Sequence, residues 1–359
     1  MKKFVILLIL LFCIGVSSCE SGDDNVVDVN ETTAQEVKKI HQTYDVLRET
    51  IMVGKGTEWS LLGELTLPKD YEGKMPAVVL VHGSGPSDMD ETIFDNKPFL
   101  DIANELSFNG IAVIRYNKRT FVHAKEMLDA LGGELTVYEE TIEDAILAAE
   151  MLKADPRIDE NRVFIIGHSM GGMLAPRIHA EGGNFAGIIS LAGSPRSIND
   201  IIYDQQIAYV DAMEEGEEKE NYLSQVMDKE AFDEAIAEIL NLPDDEAKTN
   251  MVWSNSTSAY YYKDWEKISV ADYVKNINIP FLIMQGSADF QVSIDKDFAA
   301  WQELFAGRSN AVFKLYDNLN HYFMQSAGRT IMDFQEEYKI KGNVDAQVLI
   351  DMADWINAN

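Results

Sequence analysis

The chain has 359 residues, which suits one large α/β domain with an insertion or two ordinary domains. Its 60 acidic residues outnumber its 30 basic residues and give a formal net charge of −30 at pH 7. A surface this acidic repels phosphate backbones, which argues against nucleic acid as a partner. Because 46% of the residues are hydrophobic, the chain can bury a sizeable core.

The first 18 residues have the pattern of a cleaved export signal. Lys2 and Lys3 precede an apolar run from Phe4 to Val16, which is too short to span a membrane as a helix. The run ends in Val16-Ser17-Ser18-Cys19, which resembles the lipobox of bacterial lipoproteins. That resemblance implies a lipid on Cys19. Ordinary secretory cleavage near the same point is the alternative.

The residues on either side of the cleavage point agree with export. Cys13 lies in the run that is removed, so Cys19 is the only thiol expected in the exported protein, which then has no internal disulfide. The acidic stretch Glu20 to Asp24 resembles the export signal of Bacteroidetes-type lipoproteins. We therefore expect a lipid-anchored protein on the bacterial outer membrane, facing either the cell surface or the periplasm.

Strands and helices are predicted to alternate along most of the chain. Residues 19–50 are predicted to form a tether and then an amphipathic helix around Ala34 to Thr50, while Glu49 to Val53 and Trp59 to Leu67 predict an antiparallel pair of strands. Continuous apolar runs, typical of strands buried on both faces of a parallel sheet, are Pro76–Val81, Ile111–Arg115, Val163–Ile166, Ala186–Leu191, Phe281–Met284 and Ala311–Leu315. Helical periodicity is found at Phe99–Asn109, Glu139–Lys153, Met170–Ala180, Lys296–Phe305 and Val344–Ile356. The alternation predicts one domain over residues 51–359, with a parallel sheet covered on both faces.

One segment, at about residues 197–275, interrupts this alternation. It has no buried-strand run, and it carries 19 acidic against 6 basic residues. Helical periodicity is found at Tyr203–Ala212, Asn221–Met227 and Lys229–Leu240. Tyr260 to Tyr262 and Trp265 form an aromatic cluster that suits either a core or a pocket lining. The segment is placed to cap the carboxyl edge of the sheet, where ligands bind in open α/β folds.

A serine lies at a predicted bend between a strand and a helix. The run from Val163 to Ile166 leads into Gly167-His168-Ser169-Met170-Gly171, and a helix-compatible stretch follows. Such a bend exposes the serine Oγ and strains its backbone. Glycines are needed on both sides because the strand and the helix nearly touch. The pentapeptide is weak by itself, so the flanking strand and helix carry the prediction that Ser169 is a nucleophile.

A serine nucleophile needs a base, and the base needs an orienting carboxylate. Only one of the six histidines, His321, lies in a loop just after the last buried strand, and it is the predicted base. The other five are His41, His82, His123, His168 and His179. Asp289 lies at the carboxyl end of a predicted strand and is the predicted carboxylate, with Asp200 as the alternative. Asp295 and Asp297 begin a helix and are assigned to capping.

The order Ser169, Asp289, His321 resembles that of α/β-hydrolases. Further matching segments are Val81–Pro86, Arg115–Arg119, Gly167–Gly172, Gln285–Val292 and Leu319–His321. On these motifs, residues from about 50 to 359 resemble the dienelactone-hydrolase-like and prolyl-oligopeptidase-like esterase group of serine α/β-hydrolases. Thr120 stands where one family signature often has glycine, which affects the shape of that loop. The resemblance implies an α/β-hydrolase fold, with a mostly parallel eight-stranded sheet, helices on both faces and a helical cap.

Acyl transfer also needs hydrogen-bond donors for the oxyanion that develops on the substrate. The N–H of Met170, the residue after the nucleophile, supplies one donor. The resemblance implies a second donor in the loop after the third strand, which we assign to the Ser84 N–H, with Gly83 as the alternative. Asp88 and Asp90 lie near this loop and are either substrate contacts or, more often in such loops, solvated carboxylates.

These features predict a serine esterase acting on a small-molecule or glycan-linked ester. No Cys/His spacing resembles a zinc site and no glycine-rich phosphate loop is found, so no metal or cofactor is expected. A peptidase is the alternative of the same fold, although 359 residues leave no room for the propeller of prolyl oligopeptidases. A surface lipoprotein that binds without catalysis is the second alternative, and the complete set of three candidate residues argues against it.

Overall fold

The computed structural model of this chain describes residues 43–252 and 257–359. The predicted export signal, Cys19, and the predicted helix up to residue 42 lie outside these residues. For Val46 to Thr50 the helix prediction is wrong, because these residues belong to strand β1, which pairs antiparallel with strand β2 along its whole length. Main-chain pairing over eight residues thus outweighs the local helical periodicity. Within the described residues, no helix is long and apolar enough to cross a membrane.

Eight strands form one sheet in the order β1-β2-β4-β3-β5-β6-β9-β10, and a separate pair is formed by β7 and β8. The strands are β1 Val46–Val53, β2 Leu61–Pro68, β3 Met75–Val81, β4 Ala112–Tyr116, β5 Ile158–His168, β6 Ile188–Leu191, β7 Met251–Val252, β8 Thr257–Ser258, β9 Phe281–Gly286 and β10 Ala311–Tyr316. In the large sheet, β1 and β4 pair antiparallel with β2, and all other neighbours are parallel. The predicted antiparallel start and the mostly parallel sheet are confirmed.

The helices are α1 Pro98–Phe108, α2 Arg119–Val122, α3 Ala124–Leu131, α4 Glu143–Ala154, α5 Met170–Ile178, α6 Ile198–Ala212, α7 Glu217–Leu223, α8 Lys229–Leu240, α9 Asp244–Ala247, α10 Ala259–Glu266, α11 Val270–Lys275, α12 Ala299–Leu304, α13 Phe334–Tyr338 and α14 Ala346–Ala358. Three π-helical turns, Tyr138–Ile142, His179–Gly183 and Ile294–Phe298, extend α4, α5 and α12. Short 3₁₀ turns are found at Gly132–Glu134 and Ile331–Asp333. Every helix predicted between Phe99 and Ile356 outside the 197–275 segment is therefore present, with shifted ends.

The sheet is covered by an apolar core on each face. Val79 and Val81 of β3 point into one core, which α4, α5 and α12 cover. Val78 and Leu80 point into the other core, which α1 and α14 cover. All seven residues of β3 are buried, because a strand between two layers of helices has no polar face. This explains why the sequence of the central strands is continuously apolar.

The segment at residues 197–275, called the insert below, lies between β6 and β9 and contains helices α6 to α11 and the small β7–β8 pair. It packs on the α5 face of the sheet, where Tyr261 and Tyr262 are buried in the same core as the central strands. Much of its aromatic cluster therefore belongs to the core. The helix predicted at Asn221–Met227 lies instead at Glu217–Leu223, with three acidic residues in its first turn. Acidic side chains are favoured there by the helix dipole.

Candidate active site

The backbone at Ser169 makes the sharp turn between β5 and α5. Its φ of 52° and ψ of −115° lie in a region that L-residues rarely adopt, and its N–H donates to the Leu191 oxygen at 2.8 Å. A Cβ at Gly167 would lie 2.2 Å from the Gly171 oxygen, and one at Gly171 would lie 2.3 Å from the Val81 oxygen. Only glycine fits at these positions, and the close packing holds Ser169 at the carboxyl edge of the sheet.

His321 and Asp289 form a buried pair at the same edge. The Asp289 Oδ2 lies 2.7 Å from the Nδ1 of His321 and also accepts from the Gln285 side chain at 2.8 Å. Its Oδ1 accepts from the main-chain N–H groups of Gln291 and Val292 at 2.8 and 3.0 Å. With Nδ1 donating to a carboxylate that is held this firmly, the Nε2 of His321 is left as a proton acceptor.

The other candidate carboxylates are engaged elsewhere. Asp200 pairs with Lys229 of the insert at 2.8 Å. Asp297 is buried and accepts from the Ser194 hydroxyl at 2.6 Å and the Ser293 N–H at 2.7 Å, while Asp295 is exposed. Among the candidates weighed from the sequence, Asp289 is the one that the described structure brings to His321.

One small pocket contains the nucleophile candidate and both proposed oxyanion donors. Its lining residues are Ser84, Ser169, Met170, Met173, Ala192, Ser194, Ile198, Ile201, Gln205, Gln291 and Val292. Helix α6 contributes Ile198, Ile201 and Gln205, so the insert forms one wall. Gln291 and Val292 belong to the loop that binds Asp289. The apolar lining residues suit the acyl part of a substrate, and they are Met170, Met173, Ala192, Ile198, Ile201 and Val292.

Hydrogen bonds in the loop after β3 decide between the N–H groups of Ser84 and Gly83 as the second oxyanion donor. The Gly83 N–H donates to Glu91 Oε1 at 2.7 Å and is therefore occupied. Within the described residues, the Ser84 N–H has no protein acceptor. Met170 is the first residue of α5, where main-chain N–H groups have no partner inside the helix. Ser84 and Met170 therefore keep donors available beside Ser169.

A second buried pair, Glu91 and His168, lies behind the nucleophile and was not predicted from the sequence. Glu91 Oε2 is 3.0 Å from the Nδ1 of His168, whose Nε2 lies 3.1 Å from the main-chain oxygen of His321. Burial lowers the pKa of His168, but the negative charge of Glu91, whose carboxylate lies 3.0 Å away, outweighs burial and raises the pKa overall. Burial by itself would raise the pKa of Glu91. The neighbouring His168 outweighs burial and lowers the pKa of Glu91 overall. The pair links the Gly83 loop to the His321 loop.

The polar residues around the Gly83 loop fix its shape. Burial lowers the pKa of His82 to about 4, and its Nε2 lies 2.9 Å from the Asp88 oxygen. The Asp88 carboxylate accepts from the Asp90 and Thr92 N–H groups, at 3.1 and 2.9 Å. Asp90 pairs with Arg115 at 3.0 Å. Both aspartates are thus bound within this region rather than left as free loop carboxylates.

The second matched segment, from Arg115 to Arg119, also serves as an anchor. Arg119 binds the carboxylate of Asp144 with two of its nitrogens and lies 2.7 Å from Glu143. Thr120 lies in the short helix α2. The segment therefore joins β4 to α4 through buried charges.

The sheet order, the strained serine turn and the buried His–Asp pair define a protein of the α/β-hydrolase class. A family model described as the alpha/beta hydrolase family matches residues 78–333. The chain belongs to this family, and the resemblance noted in its motifs is confirmed.

Individual proteins with similar sequences or folds agree with this assignment. Esterase EstD of Thermotoga maritima is 38% identical over 299 residues, which cover 82% of this chain and 65% of that protein. The chain thus spans just under two thirds of that relative's length. Est1E from Butyrivibrio proteoclasticus has a TM-score of 0.51 at 16% identity, covering 86% of this chain and 99% of that one. The Pyrococcus horikoshii acylaminoacyl peptidase has a TM-score of 0.52 at 17% identity, covering 89% and 42%. At these identities the two structures show a shared fold alone.

Proposed function

We propose that the protein is a serine hydrolase that cleaves carboxylic esters through an acyl-enzyme. The observation that carries this proposal is the placement of a strained serine and two free N–H donors in one pocket, with a buried His321–Asp289 pair at the same sheet edge. The 38% identity to a protein named Esterase EstD supports the choice of an ester.

In the proposed mechanism, the Ser169 Oγ attacks the acyl carbonyl while the Nε2 of His321 takes its proton. Asp289 keeps the imidazole oriented and stabilises the imidazolium that forms. The electron pair of the carbonyl moves to its oxygen, which accepts from the N–H groups of Met170 and Ser84. His321 then protonates the leaving alkoxide, and a water molecule activated by His321 releases the acid.

The pocket supports an ester with a short apolar acyl group. Met170, Met173 and Ile198 lie around Ser169, and Ile201 adds to the apolar wall. The alcohol part is proposed to be a small molecule or a glycan. Initial rates on esters of increasing acyl length test the proposed acyl group, and rates on acetylated and feruloylated oligosaccharides test the proposed alcohol. A preference for long acyl chains would contradict the short acyl group.

The decisive test is the replacement of Ser169 by Ala. We expect this variant to lose turnover of p-nitrophenyl acetate and labelling by a fluorophosphonate probe, because both need the serine Oγ. Asp289→Asn is expected to lower kcat by about 10⁴-fold, since the wrong tautomer of the histidine is then held. Ser224→Ala, on the exposed surface of the insert, is the matched control and should keep both activities.

The same measurements distinguish an esterase from the two alternatives, a peptidase and a binding protein without catalysis. Turnover of aminoacyl amides without turnover of esters would identify a peptidase. A wild-type protein that reacts with no serine-directed probe would be a binding protein rather than an enzyme, and the proposal would be wrong.

We also propose that Cys19 carries the lipid that anchors the protein to the outer membrane. The support is the sequence Val16 to Cys19 and the acidic residues after it. The full chain, expressed in a bacterium given a radioactive fatty acid, should be labelled, and Cys19→Ala should not be. Label retained by that variant would rule out this site, and protease treatment of intact cells distinguishes surface from periplasm.

A further inference from the structure

A buried lysine contacts the peptide group that contains one of the proposed oxyanion donors. The Lys118 Nζ donates to the Gly83 oxygen at 2.9 Å, and the lysine side chain is 2% exposed. The Gly83 carbonyl and the Ser84 N–H belong to the same planar peptide unit. A donor that holds the carbonyl oxygen therefore also sets the direction in which the Ser84 N–H points.

The peptide on the other side of Gly83 is held as well. Its N–H donates to the buried carboxylate of Glu91 at 2.7 Å. The main-chain N–H of Lys118 donates to the Ser87 oxygen at 2.9 Å, further along the same loop. Three hydrogen bonds thus fix the loop from Gly83 to Ser87, and Lys118 makes two of them.

A carboxylate compensates the charge of the buried lysine and connects it to the insert. Glu140 is 4% exposed, and its Oε1 lies 2.7 Å from the Lys118 Nζ. Its Oε2 accepts from the Tyr261 hydroxyl of α10 at 2.5 Å. Burial and the negative charge of Glu140 raise the pKa of Tyr261, so its hydroxyl remains a donor. Contacts therefore run from the insert through Tyr261, Glu140 and Lys118 to the Gly83–Ser84 peptide.

A cation on the Gly83 oxygen also changes the strength of the Ser84 donor. It draws electron density toward the carbonyl oxygen, which makes the N–H of the same peptide more positive. The benefit is larger for the fully charged oxyanion than for a neutral substrate carbonyl. Interactions that strengthen in the transition state raise kcat rather than lower KM.

We propose that Lys118, held by Glu140, is a positioning residue that aligns and polarises the Ser84 N–H for the oxyanion, and that Tyr261 couples this device to the insert. The inference rests on the proposed serine hydrolase function. In the assisted step the Ser169 Oγ–carbon bond forms, the carbonyl pair moves to oxygen and the serine proton passes to His321. Lys118 takes no part in these bond changes.

The first test removes the charge without leaving its partner unpaired. Lys118→Met alone would leave Glu140 as an uncompensated buried carboxylate, which destabilises strongly. The double variant Lys118→Met/Glu140→Gln avoids this, and the glutamine oxygen still accepts from Tyr261. We expect kcat to fall by about 10-fold or more, less than the ~100- to 1,000-fold that follows loss of an oxyanion donor. KM should stay within about twofold of wild type, because substrate binding is not the step that is affected.

The second readout is the affinity of a trifluoromethyl ketone, on which Ser169 forms a tetrahedral oxyanion adduct. Its inhibition constant should rise by the same factor as kcat/KM falls, because both depend on the oxyanion. A merely structural role of the lysine would not produce this parallel. Lys97→Met is the matched control, since this lysine pairs with Asp90 near the same loop but is half exposed. It should leave kcat, KM and the ketone affinity unchanged.

A milder variant covers the case in which the double variant fails to fold. Tyr261→Phe removes one hydroxyl from the Glu140 end of the contacts, and kcat and ketone affinity should both fall by about threefold. A folded double variant with wild-type kcat and ketone affinity overturns the inference, and so does a Tyr261→Phe enzyme with both values unchanged. In either case, if Ser169→Ala abolishes activity, the proposed hydrolase function stands. A wild-type protein inert to serine probes would instead refute the proposed function itself.

Discussion

The sheet that carries the candidate site and the insert between β6 and β9 are held together in different ways. Every residue of β3 is buried, whereas α7 buries none. At the site, main-chain atoms are in direct contact, as where Gly171 packs against the Val81 oxygen. The insert contacts the sheet domain through side chains, such as the Tyr261 hydroxyl on Glu140 and the Trp265 Nε1 on the Met173 sulfur at 3.3 Å. It also touches main chain at Gly133, where a Cβ would lie 1.7 Å from the Lys248 oxygen.

The two regions also differ in where their charged side chains lie. The insert carries 19 acidic and 6 basic residues, and its acidic side chains lie mostly at the surface. Around the site, three buried acids each face a basic side chain: Glu91 with His168, Glu140 with Lys118, and Asp144 with Arg119. The difference indicates that the sheet domain sets the chemistry with close packing, while the insert supplies a pocket wall and tolerates change.

The largest contrast is expected between two glycine substitutions. Gly171→Ala puts a methyl group 2.3 Å from the Val81 oxygen, and because the obstacle is main chain, we expect a loss of about 3 kcal/mol of stability together with most activity. In Gly216→Ala, in the insert, the added methyl group has no atom within 4 Å, so the stability and the activity should equal those of wild type within error. Thermal melts and ester turnover of the two variants measure this. Equal effects would remove the distinction between the regions.

The next contrast concerns buried and exposed ion pairs. Glu91→Gln breaks a buried pair with His168 and is expected to cost about 3 kcal/mol near pH 6. Asp233→Asn removes an exposed pair with Lys229 in the insert, which should not shift the melting temperature measurably.

The pH dependence of the Glu91→Gln effect has a definite sign. Because folding raises the pKa of His168, its stabilisation is complete below its ordinary 6.5 and is lost as pH rises through the folded value. Because folding lowers the pKa of Glu91, its stabilisation holds above its ordinary 4.5 and is lost on further acidification. Denaturant melts should therefore show a gap between wild type and variant that is widest from pH 4.5 to 6.5 and narrows above it. A gap that widens at alkaline pH would contradict the ion pair. Other charged or titratable groups nearby are His321 and Tyr322, whose rings lie 4.8 and 5.0 Å from that of His168, together with Asp289, His82 and Lys118.

The smallest expected effect tests whether the insert opens independently of the sheet. Arg177 of α5 donates to the Asp264 main-chain oxygen at 3.1 Å and to its carboxylate at 3.2 Å. Arg177→Met should speed hydrogen exchange of the α10 amides by about 10-fold, since local opening then costs less, and leave the β5 amides unchanged. Lys275→Met, an exposed residue paired within α11, should change neither. Faster exchange in both regions would mean that they unfold together.

The candidate site was largely predictable because each residue type marks a particular place in this fold. Gly167 and Gly171 identified the bend at Ser169, and the carboxyl ends of the last strands identified Asp289 and His321. The choice between Gly83 and Ser84 stayed open, because it depends on Glu91, which occupies the Gly83 N–H. The helix prediction up to Thr50 was wrong for Val46 to Thr50, which form strand β1. These residues pair with β2, and local sequence periodicity does not reveal such pairing.

The sequence alone determined the alternation of strands and helices, the strained serine turn and the order of the three candidate catalytic residues. These follow from local rules: an apolar run long enough for a buried strand, and glycines where main chains touch. The tertiary structure alone decided that His168 pairs with Glu91 and that Lys118 reaches the Gly83 oxygen. Such partners lie 77 and 35 residues apart. A charge enters the core only where the fold brings its partner within hydrogen-bond distance, and spacing along the chain does not encode that distance.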